Sequence, residues 1–423
     1  MKVLLVNKFH YRKGGSETYY FTLAEALAAA GHTVIFFSME DPQNLPCPQA
    51  EYFVPNASVD GGLAGRVQML RQMVYSRPAY RRMAALLQAE HPDLVLLNLV
   101  HKHLTLSILE AIRAYDPALP VFWTLHDLIP ACPAYTMRDG QGKICEACLA
   151  GSFVPCVQNR CIRGSLPMSL LAYREATVIR RKGWYDLVDL YLCPSAFYRR
   201  LLTRAQFTHA PLVTLRNPLP LDTCYTLAGP EEGYFLYMGR LSAEKGVLTL
   251  LRAAIDTHCP LVVCGTGPQE DACRQLAAGQ DHIQFRGFQT GEALRRIVQG
   301  CRCVVLPSEW YENGPYSAAE AMAQGKPLIV SDQGGLPELV EDGVNGFVYP
   351  MAEGAAALGQ RLCAMRDLPA DAYAAQCRSA RDRARAWFDP RTYVQTLEAL
   401  YTAIRRGESP TSLVTEEGGP LHG

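Results

Sequence analysis

Short apolar runs that alternate with helical segments constrain the fold of this chain more than any other feature. Residues 2–7 form the first run, residues 17–30 have the apolar spacing of a helix that ends at Gly31, and residues 33–37 form the second run. This order predicts two parallel strands joined by a crossover helix. Because the alternation continues to about residue 404, we expect an α/β protein built on parallel sheets.

The chain is too long for a single hydrophobic core, since it has 423 residues and single cores stop growing at roughly 250–300. Turn-forming residues cluster at 216–222, where we place a linker. We therefore expect one domain over 1–216 and a second over 217–390, followed by a helix at about 391–405. The polar, glycine-rich segment 407–423 is predicted to be a disordered tail.

The charge and composition exclude several classes of protein. Lysine plus arginine and aspartate plus glutamate both total 41, which argues against a nucleic-acid-binding protein. No apolar run approaches the roughly 18 residues of a membrane span, and no export signal is visible. With 15 cysteines, we expect reduced thiols and a cytoplasmic location. A basic cluster at Arg174, Arg180, Arg181 and Lys182 predicts either a solvated helix face or peripheral contact with the inner membrane surface.

A cysteine-rich loop at 132–161 interrupts the α/β pattern. Its last four cysteines have the spacing C-x2-C-x7-C-x4-C and are Cys145, Cys148, Cys156 and Cys161. Four thiolates at such spacing can close a structural zinc site. The alternative is a chain that is simply rich in cysteine, and both interpretations stay open.

Residues 308–325 predict a ligand site at the end of a strand. Pro315 begins and Gly325 ends a helix whose free backbone N–H groups favour an anion. Glu312 and Glu320 add two carboxylates that can accept hydrogen bonds from sugar hydroxyls. The stretch therefore suits a ligand with a phosphate and a polyol, although an ordinary strand, loop and helix with solvated glutamates is the alternative.

Two further strand ends carry candidate residues. Arg240 and Lys245 follow the first strand of the second domain and offer a guanidinium fork and an ammonium for a diphosphate. His126 follows a strand at 121–125, where ligands gather in open α/β sheets. The Gly265-Thr266-Gly267 loop is not a dinucleotide fingerprint, because Glu270 stands where a third glycine belongs.

Taken together, these motifs resemble a known family. The sequence contains G-R-L-S-A-E-K-G, G-T-G-P, P-S-E-W-Y-E-N-G-P-Y-S-A-A-E-A-M-A-Q-G-K-P and D-Q-G-G-L-P-E-L-V. They are similar to the family-four retaining glycosyltransferases of GT-B architecture, and the similarity covers nearly all of the second domain. The first domain is similar more loosely, through K-V-L-L-V-N, the Gly14-Gly15 loop, T-L-H-D and R-N-P.

The resemblance implies two Rossmann-like α/β domains that face each other, with the helix at about 391–405 packing back on the first. It implies a hexosyltransferase that moves a sugar from a nucleotide diphosphate sugar, with UDP-sugars and GDP-mannose as candidates. The acceptor would be a glycan or lipid-linked saccharide in exopolysaccharide, capsule or cell-surface glycan synthesis. Catalysis would need no metal cofactor, because cationic side chains and a helix N-terminus meet the charge of the leaving diphosphate.

The resemblance also implies roles for individual residues. Arg240 and Lys245 would bind the donor diphosphate, Glu320 would accept hydrogen bonds from the ribose, and Glu312 would hold the transferred sugar. His126 would lie near the reacting carbon, so the catalytic set is His126, Glu312, Arg240 and Lys245. The full set of expected donor-binding residues is Gly15, Asn217, Gly239, Arg240, Lys245, Gly265, Gly267, Gly287, Phe288, Glu312, Asn313, Gly314, Pro315, Tyr316 and Glu320.

Two other functions remain compatible with the same residues. A sugar-nucleotide epimerase of the same architecture would convert the donor without an acceptor. A catalytically silent protein would bind the nucleotide sugar only. The cysteine-rich loop is typical of only some bacterial polysaccharide-assembling members of the family.

Overall fold

The computed structural model describes residues 1–55, 74–102, 104–227 and 232–418. The chain divides into two compact units. The first comprises Met1–Leu221 together with Pro390–Gly423, and the second comprises Asp222–Asp389. Within the described ranges, no helix combines the length and the apolar character that a membrane span requires.

The first unit is built on a six-stranded sheet in the order β2-β1-β3-β4-β5-β6. Every neighbouring pair is parallel. The strands are β1 (Lys2–Val6), β2 (Thr33–Phe37), β3 (Leu94–Leu97), β4 (Val121–Thr124), β5 (Leu190–Cys193) and β6 (Leu212–Thr214). Their near-continuous apolar runs follow from burial on both faces, which is usual for parallel sheets.

Six of the α-helices described in this unit lie between its strands in the chain. One more, α13, comes after the second unit in the chain. These helices are α1 (Gly15–Ala29), α2 (Arg77–Glu90), α3 (Ser107–Tyr115), α4 (Val154–Gln158), α5 (Leu166–Lys182), α6 (Ala196–Arg204) and α13 (Pro390–Arg406). Three of them begin at a serine whose side chain accepts a hydrogen bond from the first turn. These caps are Ser76, Ser165 and Ser195, and each satisfies a backbone N–H that the helix leaves free.

The second unit repeats the plan with a six-stranded sheet in the order β12-β11-β10-β7-β8-β9, again with parallel pairs. Its strands are β7 (Phe235–Met238), β8 (Leu261–Cys264), β9 (Ile283–Gly287), β10 (Cys303–Leu306), β11 (Leu328–Ser331) and β12 (Gly346–Tyr349). Its helices are α7 (Val247–Thr257), α8 (Glu270–Leu276), α9 (Gly291–Gly300), α10 (Tyr316–Ala323), α11 (Gly354–Arg366) and α12 (Ala370–Phe388). The expected α/β fold with parallel sheets is thereby confirmed.

The last helix, α13, belongs to the first unit although the second unit precedes it in the chain. Its Tyr393 hydroxyl lies 2.8 Å from the Tyr19 hydroxyl of α1. Its Glu398 lies 2.8 Å from Nε2 of His32. The helix predicted at about 391–405 lies within α13. The two contacts given above join α13 to α1 and to His32, which follows α1.

The predicted disordered tail, 407–423, differs from the structure over the residues that are described. Residues Pro410–Ser412 form a 3-10 helix. Val414 is buried, and the Thr214 hydroxyl donates to the Glu416 carbonyl at 3.0 Å. Contacts with β6 order this segment, and composition alone does not reveal them. Residues 419–423 lie outside the described part of the chain.

Candidate functional site

Glycines allow two loops at the carboxyl ends of β7 and β8 to pack backbone against backbone. Leu241 N–H donates to the Thr266 carbonyl at 3.0 Å, and Gly239 N–H donates to the Cys264 carbonyl at 3.0 Å. A Cβ on Gly265 would lie 1.8 Å from the Gly239 carbonyl oxygen, and Gly265 has a φ of +143°. No side chain fits there, so the glycine sets the close approach of the two loops.

A pocket of about 480 Å³ opens beside these loops. Six of the predicted donor-binding residues line it together: Gly239, Arg240, Gly265, Gly267, Phe288 and Glu320. Phe288 is 73% exposed and comes directly after Gly287, whose φ is +65°. The pocket therefore combines backbone-lined walls, an exposed aromatic face, a cation and a carboxylate.

Arg240 and Glu320 add a guanidinium and a carboxyl group to the lining of the pocket. Arg240 is exposed and forms no ion pair in the part of the chain that the structure describes. Burial raises the pKa of the Glu320 carboxyl from 4.5 to about 7. An unpaired guanidinium can bind a phosphate, and a carboxylate in a poorly solvated position can accept hydrogen bonds from hydroxyls.

Lys245 and Glu312 form an ion pair in the loops after β7 and β10. Lys245 Nζ donates to Glu312 Oε1 at 2.6 Å, and Ser308 Oγ donates to the same oxygen at 2.7 Å. Burial alone would raise the pKa of Glu312, but the charge of Lys245 and these hydrogen bonds hold that pKa below its usual value. Glu312 is therefore a buried carboxylate, and Lys245 is positioned by it rather than free.

Helix α10 follows this loop. Pro315 is its N-cap residue, Tyr316 begins it, and Gly325, with a φ of +69°, turns the chain after its end. The helix start and stop predicted from Pro315 and Gly325 lie within two residues of those observed. Asn313 and Gly314 lead into the first turn, and Ser317 in that turn lines the pocket.

The remaining predicted site residues lie in the first unit. Gly15 begins α1. Asn217 follows β6, and its buried Oδ1 has no hydrogen-bond partner in the described part of the chain. His126 follows β4, and its ring lies 4.7 Å from that of Tyr19. Burial lowers the pKa of His126 to about 3, so it is a neutral imidazole, and its buried Nε2 likewise has no partner among the described residues.

Several site residues lie beyond what the motifs single out. Thr266 and Ser317 line the pocket with their predicted neighbours. Ser308 holds Glu312, and the Lys245 ammonium lies 5.1 Å from the centre of the Trp310 ring. Thr266, Ser317, Ser308 and Trp310 all lie inside the motif stretches, but only the folded loops reveal which side chains face the pocket or the ion pair.

The structure gives no support to the predicted zinc site. Among residues 1–55, 74–102, 104–227 and 232–418, no three His, Cys, Asp or Glu side chains are arranged to hold a metal ion. The predicted ligands Cys145, Cys148, Cys156 and Cys161 are free thiols. Cys148 and Cys156 pack with Phe153 in a small buried cluster. Burial raises the pKa of both thiols to about 12.

Comparison with known proteins assigns both units to recognised sequence families. Residues 13–223 match the family described as Glycosyltransferase Family 4. Residues 226–374 match the family described as Glycosyl transferases group 1. The two matches adjoin near the boundary between the units, so each family corresponds to one of the two sheets.

Two curated relatives are similar over part of the chain. An uncharacterised glycosyltransferase of Methanocaldococcus jannaschii is 39% identical over 129 residues, which are 28% of this chain and 33% of that protein. The alpha-D-kanosaminyltransferase of Streptomyces kanamyceticus is 33% identical over 207 residues, 46% of this chain and 49% of that protein. The chain thus spans between a third and a half of the length of these relatives.

Among solved structures, HepE of Anabaena, crystallised in complex with UDP, superposes with a TM-score of 0.65. The superposition covers 95% of this chain and 100% of HepE at 18% sequence identity, which shows a common fold. With a family match in each unit and this shared architecture, the chain belongs to the family-four glycosyltransferases and has their two-domain α/β GT-B fold.

Proposed function

We propose that the chain is a retaining glycosyltransferase that moves a hexose-type sugar from a nucleotide diphosphate sugar to a glycan or lipid-linked saccharide. The observation that carries this proposal is the pocket in which Arg240, Glu320 and the two glycine loops meet. Its volume of about 480 Å³ lies within the roughly 300–1,000 Å³ of small-molecule pockets. A diphosphate, a ribose and a base each find a suitable partner there.

The parts of the donor correspond to parts of the pocket. The guanidinium of Arg240 and the positive end of the α10 dipole suit the diphosphate. Glu320 suits the ribose hydroxyls, and the exposed ring of Phe288 offers a stacking surface for the base. Glu312, fixed by Lys245 and Ser308, would accept hydrogen bonds from hydroxyls of the transferred sugar.

The chemistry is the replacement of one bond at the anomeric carbon by another. The bond from that carbon to the diphosphate oxygen breaks, and a bond to an acceptor hydroxyl oxygen forms on the same face of the sugar. The departing diphosphate oxygen takes the proton of the acceptor hydroxyl. Arg240 and Lys245 stabilise the negative charge that grows on the diphosphate. Glu312 is ion-paired with Lys245 at 2.6 Å, which favours a role in holding the sugar over a role as a covalent nucleophile.

UDP-sugars are the first donors to test, because the fold neighbour HepE was crystallised with UDP; GDP-mannose and other GDP-sugars complete the panel. We expect the protein to bind at least one of them and to hydrolyse it slowly without an acceptor. Arg240→Ala should weaken that binding at least tenfold, since each 1.4 kcal/mol of lost phosphate contact is about a factor of ten. Calorimetric titration measures the affinity of both proteins.

Arg252→Ala is the matched control for this experiment, because Arg252 is an exposed arginine on α7 and does not line the pocket. Failure of every nucleotide sugar to bind would refute the proposal, and unchanged affinity in Arg240→Ala would refute the phosphate assignment. Conversion of the donor to its epimer without an acceptor would favour an epimerase instead. Once an acceptor is found, the anomeric configuration of the product by NMR tests retention.

We also infer peripheral contact with an anionic lipid surface on the cytoplasmic side. Leu166, Met168 and Leu170 in the first turns of α5 are 45–49% exposed, and the exposed Arg181 and Lys182 end the same helix. Exposed apolar side chains at one end of the helix and exposed cations at the other suit the interface of an anionic bilayer. Flotation with vesicles that contain anionic lipid should recover the protein, whereas neutral vesicles should not; equal recovery with both would contradict the inference.

A further inference from the structure

The first unit has a second cluster of charged side chains, far in sequence from the donor pocket. It lies at the carboxyl edge of the sheet, where Lys8 follows β1, Lys102 follows β3 and Asp127 follows β4. These three strands are parallel neighbours, so their ends meet at one edge. Ligands of open α/β sheets bind at such edges.

Three lysines of this edge lie within electrostatic reach of one another. The Lys8 and Lys13 ammonium groups lie 4.6 Å and 3.9 Å from the centre of the same Phe9 ring. Burial and the charges of Lys13 and Lys102 lower the pKa of Lys8 to about 8. In the part of the chain that the structure describes, none of the three forms an ion pair. Like charges gathered without partners repel, so an anion would stabilise them.

Three carboxyls share this edge with the lysines, and one of them, Glu17 of α1, already accepts hydrogen bonds from Asn7 at 3.4 Å and from Ser16 at 3.1 Å. Glu175 of α5 is 7% exposed and has no hydrogen bond or ion pair among the described residues. Asp127 accepts a hydrogen bond from the Ile129 N–H at 3.0 Å. Burial raises the pKa of Asp127 to about 6 and of Glu175 to about 7, while the charge of Lys102 acts on both in the opposite direction.

The carboxyls form no ion pairs with these lysines in the described part of the chain, although the charge of Lys102 acts on Asp127 and Glu175. A buried carboxyl without a hydrogen-bond partner is costly unless something else supplies the partner. The edge therefore presents unpaired ammonium groups and a buried acceptor of hydrogen bonds side by side. A ligand that is anionic at one end and rich in hydroxyls at the other satisfies both.

We propose that this edge is the acceptor subsite and that the acceptor carries a phosphate or carboxylate group next to sugar hydroxyls. Lys8, Lys13 and Lys102 bind the anionic group, and Asp127 and Glu175 accept hydrogen bonds from hydroxyls. The proposal rests on the glycosyltransferase function and adds the chemical class of the acceptor. The anion is either the diphosphate of a lipid-linked saccharide or the carboxylate of an acidic sugar.

A titration of the full chain, saturated with the nucleotide that the donor panel selects, tests the anion site directly. We expect inorganic pyrophosphate or glucuronate to bind the loaded protein with about one site per chain. Lys102→Met should weaken that binding at least tenfold, and Lys8→Met should weaken it as well. Lys143→Met, which removes an exposed lysine elsewhere in the first unit, should bind as the unchanged protein does.

The two anions distinguish the sources of the acceptor charge: tighter pyrophosphate binding favours a lipid diphosphate, and tighter glucuronate binding favours an acidic sugar. The proposal is overturned if neither anion binds the loaded protein or if the Lys8 and Lys102 variants bind both anions unchanged. It is also overturned if the Lys8 and Lys102 variants lose nucleotide binding, because the lysines would then serve the donor. If no nucleotide binds at all, the glycosyltransferase function fails, but titration of the unloaded chain and its lysine variants still reports on the anion site.

Discussion

Glu320 shows how the position of a single side chain changes its chemistry. In sequence, it is one glutamate among the alanines of a short helix, Tyr316–Ala323. In the structure, it faces a pocket that is also lined by Cys264, Leu294 and the ring of Phe288. Burial of the side chain raises the pKa of its carboxyl to about 7. Near neutral pH, the protonation state of Glu320 therefore responds to small changes in pH.

The protonation of Glu320 makes stability depend on pH. Because its pKa is raised from 4.5 to about 7 on folding, the folded state binds the proton more tightly than the unfolded state does. The associated stability is fully present below pH 4.5 and is lost as the pH rises through about 7. From about pH 5 to about pH 8, the protein should lose at most about 3 kcal/mol relative to Glu320→Gln, at about 1.4 kcal/mol per pKa unit.

Urea unfolding of both proteins at several pH values across this range, followed by a probe in the second unit, measures this difference. Glu353→Gln is the matched control variant, because Glu353 is an exposed glutamate of the same unit. A stability difference between the unchanged protein and Glu320→Gln that stays constant with pH would contradict the expected burial of the carboxyl.

At the scale of elements, the contact between the loops after β7 and β8 depends on Gly265. Gly265→Ala would place its Cβ 1.8 Å from the Gly239 carbonyl oxygen, so the loops must move apart. We expect a loss of stability of several kcal/mol, in the range of severe core and backbone substitutions, and a loss of nucleotide-sugar binding. Urea unfolding measures the first effect and calorimetric titration the second.

Gly279→Ala is the matched control, since Gly279 also has a positive φ, +77°, but no atom lies within 4 Å of its added Cβ. That variant should show only the cost of the backbone conformation, about 1 kcal/mol, and should bind the donor normally. Equal effects of the two substitutions would mean that the close approach of the loops does not matter.

Sequence patterns predict most of the strands, because strands buried on both faces read as apolar runs. They do not predict the strand Gly346–Tyr349, since it begins at an Asn345-Gly346 pair that is typical of a turn. Nor do they predict the helix Ala196–Arg204, although Ser195 caps it. For the strand, the pairing partner is Leu328–Ser331, which lies far enough away in sequence that local patterns do not contain it.

The candidate site, like the fold, is predicted only in part from the sequence. Motif spacing identifies Arg240, Lys245, Glu312 and Glu320 as candidates for one site. It does not reveal that Lys245 and Glu312, which are 67 positions apart, form an ion pair. Nor does it separate the exposed Arg240 from the paired Lys245. These distinctions depend on how the loops fold against each other, which residue types alone do not specify.

At the scale of the whole molecule, α13 links stability of the first unit to the end of the chain. Leu397 of α13 is fully buried, so Leu397→Ala should cost about 2–5 kcal/mol. We expect hydrogen exchange to become faster in peptides of Met1–Leu221, the unit to which α13 belongs, and to change little in peptides of Asp222–Asp389.

The reciprocal control is Leu362→Ala, which removes an equally buried leucine of α11 in the second unit. It should speed exchange in Asp222–Asp389 and leave the first unit protected. Faster exchange in both units with either variant would show that the two units unfold together rather than separately.

The position of α13 also has a consequence for synthesis on the ribosome. The second unit is one continuous segment and can fold as soon as that segment has emerged. The first unit is not complete until the residues of α13 have been made, because Tyr393 and Glu398 supply contacts to Tyr19 and His32. At about 5–20 residues per second, the nascent first unit waits on the order of ten seconds or more with one side of α1 uncovered. During that interval, the half of the protein that is made first is the half most exposed to chaperones and proteases.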